Sequence, residues 1–159
     1  DNGEFFIYEM GFRISGSQHY TIVEKQTGIN LLEMMLDHAV GEELGKYDIS
    51  AFDDSYIPYP SCNLPILLDN GTIAEIRGLE DVLSMPEVLS FVSSRHVGDV
   101  VQHTGSYSPM FGRFNLVAGS LEELHDAIEK IYQTLQVVSD EGEDMILVRY
   151  RPAETLSQK

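Results

Sequence analysis

The sequence predicts an α+β fold in which a mainly antiparallel sheet carries flanking helices. Short runs of apolar and β-branched residues follow one another from residue 61 onward and are separated by turn residues. One amphipathic helix with a clear capping signal lies among these runs, directly after Ser120. Strands interrupted by few helices are typical of an antiparallel sheet that is covered on one side by helix.

A predicted strand opens the chain, ahead of that sheet. Residues 4–10 are rich in aromatic side chains and begin right after Asn2-Gly3. Asn-Gly is a strong hairpin-turn signal, because both turn positions tolerate φ > 0. No strand precedes this turn in the sequence, so we expect the chain to begin inside a hairpin that has lost its first strand. We expect the exposed edge to pair with another chain, or with a displaced part of its own chain, giving a homodimer.

Two helices are predicted next, over residues 18–26 and 31–40, with Thr27-Gly28 as the break between them. Apolar residues share one face of the second helix: Leu31, Leu32, Met35, Leu36 and Ala39. Residues 46–60 combine acidic residues, prolines and aromatics, which is typical of a linker. We therefore expect two units, residues 1–47 and residues 48–159, of which the second is the sheet domain.

Within the second unit, strands over 61–68 and 72–77 flank Asp69-Asn70-Gly71 and predict a hairpin. A short helix over 79–83 follows, then strands over 88–93 and 114–118. Ser120 and Glu123 predict a capping box at the start of a helix that runs to about residue 135. Its predicted buried stripe is Leu121, Leu124, Ala127, Ile128, Ile131 and Leu135. Residues 145–150 predict a last strand.

Composition excludes several classes of function. The sequence has 26 Asp and Glu against 10 Lys and Arg, a formal net charge of −16, which disfavours binding to nucleic acid and to anionic membranes. No apolar run approaches the length of a membrane span. The single cysteine, Cys62, fits a cytoplasmic location, and its strand pattern indicates a small core residue rather than a nucleophile.

One segment, Glu9-Met10-Gly11-Phe12-Arg13, carries the strongest chemical signal. In a strand, Glu9 and Arg13 point to the same face. A carboxylate suits Mg²⁺, and a guanidinium suits a phosphate or a carboxylate. Gly16 follows in the next loop, where a glycine lets the backbone approach a ligand. On these residues alone, a surface ion pair is the alternative interpretation.

The same segment resembles a family. ATP-grasp ligases close their nucleotide site with a strand that reads E-x-N-x-R, followed by a Gly-containing loop and a T-G-[IV]-[DN] helix start. This chain has Glu9 to Arg13, then Gly16, then Thr27-Gly28-Ile29-Asn30. Pro86-Glu87-Val88 and Gly98-Asp99 also resemble the C-terminal sheet domain of such enzymes, as in biotin carboxylase, the large chain of carbamoyl-phosphate synthase and some amino-acid ligases.

The resemblance implies an ATP- and Mg²⁺-dependent ligase that activates a carboxylate as an acyl-phosphate for attack by an amine. Glu9 would bind the metal, Arg13 would hold the transferred phosphate or the acyl-phosphate, and Gly16 would contribute to nucleotide binding. Gly11 stands where the family has Asn, so the second metal ligand on this strand is missing. No Gly-rich loop followed by Lys is present, so we expect the chain alone to be inactive and to bind no ATP tightly.

The resemblance also implies that the partners are N-terminal domains of the same protein and small carboxylate and amine substrates. Two other functions remain open. The chain could be a non-catalytic α+β interaction domain, or an ATP-grasp descendant that has lost catalysis. His19 is likewise open to two interpretations, a substrate contact or a solvated residue at the start of a helix.

Overall fold

The computed structural model describes residues 14–43, 58–103, 109–147 and 149. It contains four helices and six strands in these ranges: α1 (Tyr20–Thr27), α2 (Leu31–Ala39), β1 (Ser61–Leu67), β2 (Gly71–Arg77), α3 (Leu79–Leu83), β3 (Val88–Ser93), β4 (Val100–Val101), β5 (Met110–Val117), α4 (Leu121–Thr134) and β6 (Gln136–Ser139). Across the described ranges, no helix has the length and apolar character needed to cross a membrane. The predicted strand over 4–10 and the expected boundary at residues 47 and 48 lie outside the described residues.

Two three-stranded antiparallel sheets form the framework, with strand orders β1-β5-β3 and β4-β2-β6. A single apolar core joins the sheets to α3 and α4. Its largest fully buried side chains include Phe111, Phe114, Ile66 and Leu68. The expected α+β class and the antiparallel pairing are therefore confirmed.

The predicted hairpin around Asn70-Gly71 is wrong. β1 pairs with β5, whereas β2 pairs with β4 and β6, so the chain changes sheets at this turn. Asp69 Oδ1 accepts a hydrogen bond from the Asn70 amide, and Asn70 Oδ1 accepts one from the His103 amide. These bonds stabilise a corner between the sheets. Asn-Gly reports local turn preference only, and the distant strands β5 and β6 decide the pairing.

The two faces of the β1-β5-β3 sheet differ in chemistry. Phe114 lies opposite Leu64 and Phe91 in register, and this face enters the apolar core. Alternate residues face the other way. That second face carries Asn115, which lies opposite Asn63 and Ser90, and Arg113, which lies opposite Val92 and Pro65. It contacts α1. Pro65 is tolerated because β1 is an edge strand, where a missing N–H costs no ladder bond.

Helix α4 follows its predicted pattern with three changes. Ser120 Oγ accepts from the Glu123 amide at 3.1 Å, as a capping box requires. The Glu123 carboxylate, however, accepts from the Gly119 amide rather than from Ser120. Leu121 is 64% exposed, so its predicted burial is wrong, while Tyr132 joins the buried stripe. The remaining stripe residues, Leu124, Ala127, Ile128, Ile131 and Leu135, are buried as predicted.

Helix α2 forms as predicted, but its apolar face is not covered. None of its residues is buried. Leu32 and Met35 are each 44% exposed and Leu36 is 60% exposed. The amphipathic pattern therefore predicted the helix correctly, because periodicity reports the helix itself and not what covers it.

The strand ends also differ from the sequence pattern. β5 begins at Met110 rather than at 114, and β4 and β6 were not predicted. The last strand expected over 145–150 is reduced, within the described residues, to an isolated bridge between Ile146 and Leu68. β6 follows α4 after Leu135 with no glycine or proline to mark its start, so the pattern gave no boundary there.

Candidate functional site

The first described residues, from Ile14 onward, form the loop that follows the residues predicted to bind metal and phosphate. Glu9, Gly11 and Arg13 lie outside the described residues. Gly16 and the T-G-I-N segment lie inside them. The described part of the candidate site therefore consists of the loop over 14–19 and the sheet that supports it.

Gly16 lies at the exposed tip of this loop. A Cβ built at Gly16 would have no neighbour within 4 Å. A ligand can therefore reach the backbone here, which fits the predicted role of Gly16, although neither packing nor a positive φ requires glycine. Inside the described ranges, no group of His, Cys, Asp and Glu side chains is arranged to hold a metal ion.

Local hydrogen bonds fix the shape of the loop. Ser15 Oγ and Ser17 Oγ are 2.6 Å apart, and the Gln18 amide donates to the Ser15 carbonyl oxygen. Gln18 has φ = 58°, the left-handed region that non-glycine residues rarely adopt. Its carbonyl oxygen accepts from the amide and the hydroxyl of Thr21. The backbone amide and the backbone carbonyl of Gln18 are thus both hydrogen-bonded, and these bonds hold the strained residue in its conformation.

Asn115 joins this loop to the sheet. The residue is completely buried on β5. Its Nδ2 donates to the Ser17 carbonyl oxygen and to Ser90 Oγ, each at 2.9 Å. Its Oδ1 accepts from Asn63 Nδ2 at 2.8 Å. Asn115 was not predicted from the sequence, although a polar residue inside the apolar run from Phe114 to Val117 was a usable signal.

Helix α1 makes two further contacts, one with the same face of the sheet and one with the chain just before β1. Thr21 Oγ1 lies 3.3 Å from Ser90 Oγ. At the other end of the helix, the Gln26 side chain donates to the carbonyl oxygen of Tyr59 and accepts from its amide. The segment over 14–27 is therefore held against the sheet by hydrogen bonds along its length, with a buried anchor at Ser17.

The T-G-I-N segment has a clear structural role. Thr27 Oγ1 donates to the Val23 carbonyl oxygen and accepts from the Ile29 amide. Gly28 ends α1 with φ = 74°, and its amide bonds to the Glu24 carbonyl oxygen. Ile29 is buried, and Asn30 Oδ1 caps α2 by accepting from the Glu33 amide. The motif therefore ends one helix and starts the next.

The other candidate side chains have ordinary environments. His19 is exposed at the start of α1, with its Nδ1 3.3 Å from Ser17 Oγ. Ser15 and Ser17 make local hydrogen bonds within the loop. Burial raises the pKa of the Cys62 thiol, which keeps it protonated and poorly nucleophilic. Cys62 packs against the core, so its predicted structural role is supported.

A cavity of about 230 Å³ lies between the loop and the sheet, lined by Gly16, Ser17, Val92, Ser94, Met110 and Arg113. Arg113 is half-buried on β5, and its Nε donates to Met110 Sδ at 3.0 Å. A separate cleft of about 450 Å³ lies along β2 and the turn after β6, with five carboxylates in its wall: Asp69, Asp140, Glu141, Glu143 and Asp144. The two share no lining residue.

Comparison with known proteins gives matches among solved structures. No protein-family model matches the sequence, and no curated protein matches it. The L-amino acid ligase from Bacillus licheniformis is 25% identical, with a TM-score of 0.62, over 82% of this chain and 31% of that enzyme. The phosphoribosylglycinamide synthetase from Anaerococcus prevotii is 13% identical, with a TM-score of 0.62, over 78% of this chain and 31% of that enzyme.

Both solved enzymes are ATP-grasp enzymes, and the chain has an ATP-grasp ligase-like fold. The fold expected from the resemblance is thereby confirmed. The chain spans 31% of the length of either solved enzyme.

Proposed function

We propose that this chain is the C-terminal part of an ATP-dependent ligase that activates a carboxylate as an acyl-phosphate for attack by an amine or a similar nucleophile. The observation that carries the proposal is the match to an L-amino acid ligase over 82% of the chain. The order of Glu9, Arg13, Gly16 and the T-G-I-N segment supports it. The partners of the chain are then the N-terminal domains of the same protein. Its location is then the cytoplasm.

Glu9, Arg13 and Gly16 each have a proposed role that suits the chemistry of the residue. The Glu9 carboxylate binds Mg²⁺, because hard cations prefer oxygen ligands. The Arg13 guanidinium holds the phosphate that is transferred, or the acyl-phosphate, through paired N–H donors. Gly16 leaves the loop backbone open to the nucleotide. When bound, ATP and Mg²⁺ supply the phosphoryl group and neutralise its charge.

The isolated chain contains too few residues of the proposed active site to catalyse the reaction. Its lysines are Lys25, Lys46, Lys130 and Lys159, and none follows a Gly-rich phosphate loop. Titration calorimetry with ATP and Mg²⁺ tests this directly. We expect no heat of binding at micromolar concentrations, and micromolar affinity would refute the inactivity of the fragment.

The role of Glu9 is tested in the full-length protein. Glu9→Gln removes a negative metal ligand and keeps the shape, so turnover should fall by roughly 100-fold or more. Glu42→Gln, at an exposed position beyond α2, is the matched control and should leave turnover unchanged. Equal turnover in Glu9→Gln and in the parent protein would contradict the metal role.

A second candidate function is an ATP-grasp descendant that has lost catalysis, and Gly11 favours it because glycine has no side chain to bind a metal. The full-length gene and its kinetics separate the candidates. A nucleotide-binding region upstream, with measurable turnover, supports the ligase. The same region without turnover supports the descendant. Absence of that region supports the non-catalytic interaction domain.

A further inference from the structure

We propose that the outward side of α2 is the surface on which the N-terminal domains of the same protein dock. This surface, the α2 face, consists of Leu32, Met35, Leu36, Ala39 and Val40, all of them exposed. The identity of the occupant rests on the proposed function. The need for an occupant does not, because it follows from the described residues alone.

The α2 face is a continuous apolar patch. Leu32, Leu36 and Val40 follow one another at intervals of four residues, and side chains with this spacing share one side of a helix. Met35 and Ala39 lie beside them with the same spacing. The exposed fractions are 44% for Leu32, 60% for Leu36 and 73% for Val40. Single exposed apolar side chains are ordinary, whereas a patch of adjacent ones marks an interaction surface.

The orientation of α2 shows that this patch needs a partner. Leu31, Met34 and Asp37 are half-buried, so a carboxylate lies on the inner side of the helix, while the α2 face carries no charge. A surface helix normally has the opposite orientation, with its charged residues in water and its apolar stripe covered. Within the described ranges, α2 therefore lacks the element that would cover its most apolar side.

The extent of the matched enzymes points to the occupant. The chain spans 31% of either solved enzyme, so on the proposed function most of the ligase lies outside it. Glu9 and Arg13 alone cannot hold a nucleotide, and the residues that bind the rest of it then come from the N-terminal domains. Those domains therefore contact the segment that carries Glu9 and Arg13.

The α2 face lies within reach of a domain that contacts Arg13. The loop over 14–19 and α1 lie between this residue and α2. α1 has 8 residues, which span about 12 Å at about 1.5 Å per residue. Residues 28–30 then lead directly into α2, which contacts α1. A domain about 30 Å across can therefore contact the segment before Ile14 and the α2 face at once.

Charge disfavours a second copy of the chain as the occupant. Residues 30–45 contain four carboxylates and no Lys or Arg, the carboxylates being those of Glu33, Asp37, Glu42 and Glu43. In a two-fold contact the same surface meets itself, so these acids would lie at the rim on both sides and repel one another. The surface that fits the α2 face has an apolar centre with Lys or Arg at its rim.

The test is maleimide labelling of Leu36→Cys in the isolated chain and in the full-length protein, with mass spectrometry to locate the label. We expect the new thiol to react roughly tenfold more slowly in the full-length protein, because the docked domains exclude the reagent. Val97→Cys is the matched control. Val97 lies in the loop before β4 and is 59% exposed against 60% for Leu36, and its variant should react at the same rate in both proteins.

Hydrogen exchange of the unsubstituted protein gives a second measurement that needs no variant. The amides of α2 should exchange roughly tenfold more slowly in the full-length protein than in the isolated chain, because docking opposes the local opening of this helix. α4 is the internal reference, since its apolar stripe already lies in the core. The gain in protection should be larger for α2 than for α4.

Several outcomes would overturn the proposal. They are equal labelling of Leu36→Cys in the two proteins, equal slowing at Leu36→Cys and Val97→Cys, or no gain in the protection of α2. Labelling of Leu36→Cys in the isolated chain that slows as its concentration rises would identify a second copy as the occupant, and would also reject the proposal.

Turnover separates this proposal from the proposed function, because neither labelling nor hydrogen exchange needs ATP. An active full-length ligase with an accessible α2 face would reject the docking surface alone. A protected α2 face in a full-length protein without turnover would reject the ligase activity alone.

Discussion

Asn115 is the residue that joins the candidate site to the fold. Its amide uses both N–H donors and its oxygen at once, on partners from three separate segments. A buried amide with this many partners is costly to replace, because a substitution breaks three hydrogen bonds at a completely buried position.

Asn115→Leu should destabilise the chain by roughly 2 to 4 kcal/mol, since the Ser17 carbonyl oxygen and Ser90 lose their donor. Asn63→Ala is the matched control. It breaks one bond at a half-buried position and should cost about 1 kcal/mol. Urea unfolding measures both. A loss for Asn115→Leu no larger than that for Asn63→Ala would show that the network does not hold the loop.

Two left-handed positions should respond in opposite directions. Gln18→Gly relieves an unfavourable φ of 58° and should stabilise the chain by about 1 kcal/mol. Gly28→Ala places a side chain at φ = 74° and should destabilise it by about 1 kcal/mol, and no packing clash contributes there. Changes of the same sign in the thermal unfolding temperature would contradict the assignment of strain to Gln18.

For single residues, the predicted roles of Glu9, Arg13 and Gly16 stay predictions. Gly16 is exposed, and a Cβ built there would have no neighbour within 4 Å. Asn115 was not identified, because its partners Asn63, Ser17 and Ser90 are all distant in sequence. Side-chain partners across a sheet depend on strand register, and no local pattern reports that register.

Among the elements, helices were predicted more accurately than strands. The capping residues Asn30 and Ser120 and the terminator Gly28 act within one turn of chain, so the sequence around them contains the relevant signal. The bounds of α2, α3 and α4 accordingly lie within one or two residues of the prediction.

Strand partners were not predicted correctly. Asn70-Gly71 indicated a turn, and a turn exists there, but it leads from one sheet to the other. β6 was missed because four residues after a helix carry too little pattern to define a strand. In both cases the deciding interaction lies in a distant part of the chain, where tertiary contacts override local preference.

The close approach of β3 and β5 gives an element-scale prediction. A Cβ at Gly112 would lie 2.5 Å from Cε2 of Phe91 and 2.7 Å from the Val92 carbonyl oxygen. Gly112→Ala should therefore force the strands apart and cost roughly 2 kcal/mol or more. Gly16→Ala, with open space at its Cα, is the control and should leave the urea midpoint unchanged. A Gly112→Ala variant as stable as the parent would show that β3 can shift without loss.

For the whole molecule, the exposed edge expected at residues 4–10 predicts a homodimer in solution. Sedimentation velocity should report a dimer for the parent chain. Ile7→Pro removes a backbone N–H from that edge and should give a monomer. Leu36→Glu, on the exposed face of α2, separates edge pairing from association through the helix and should leave the dimer intact. A monodisperse monomer for the parent would contradict the prediction.

The way in which the two sheets are connected has a kinetic consequence. In the part of the chain that the structure describes, every ladder joins strands that are not consecutive. β1 and β3 pair with β5, and β2 pairs with β4 on one side and β6 on the other. During synthesis, β1 and β3 therefore leave the ribosome before β5 exists, and one edge of β2 stays unpaired until β6 follows. Closing such distant contacts is slow, so refolding belongs in the range of roughly milliseconds to seconds.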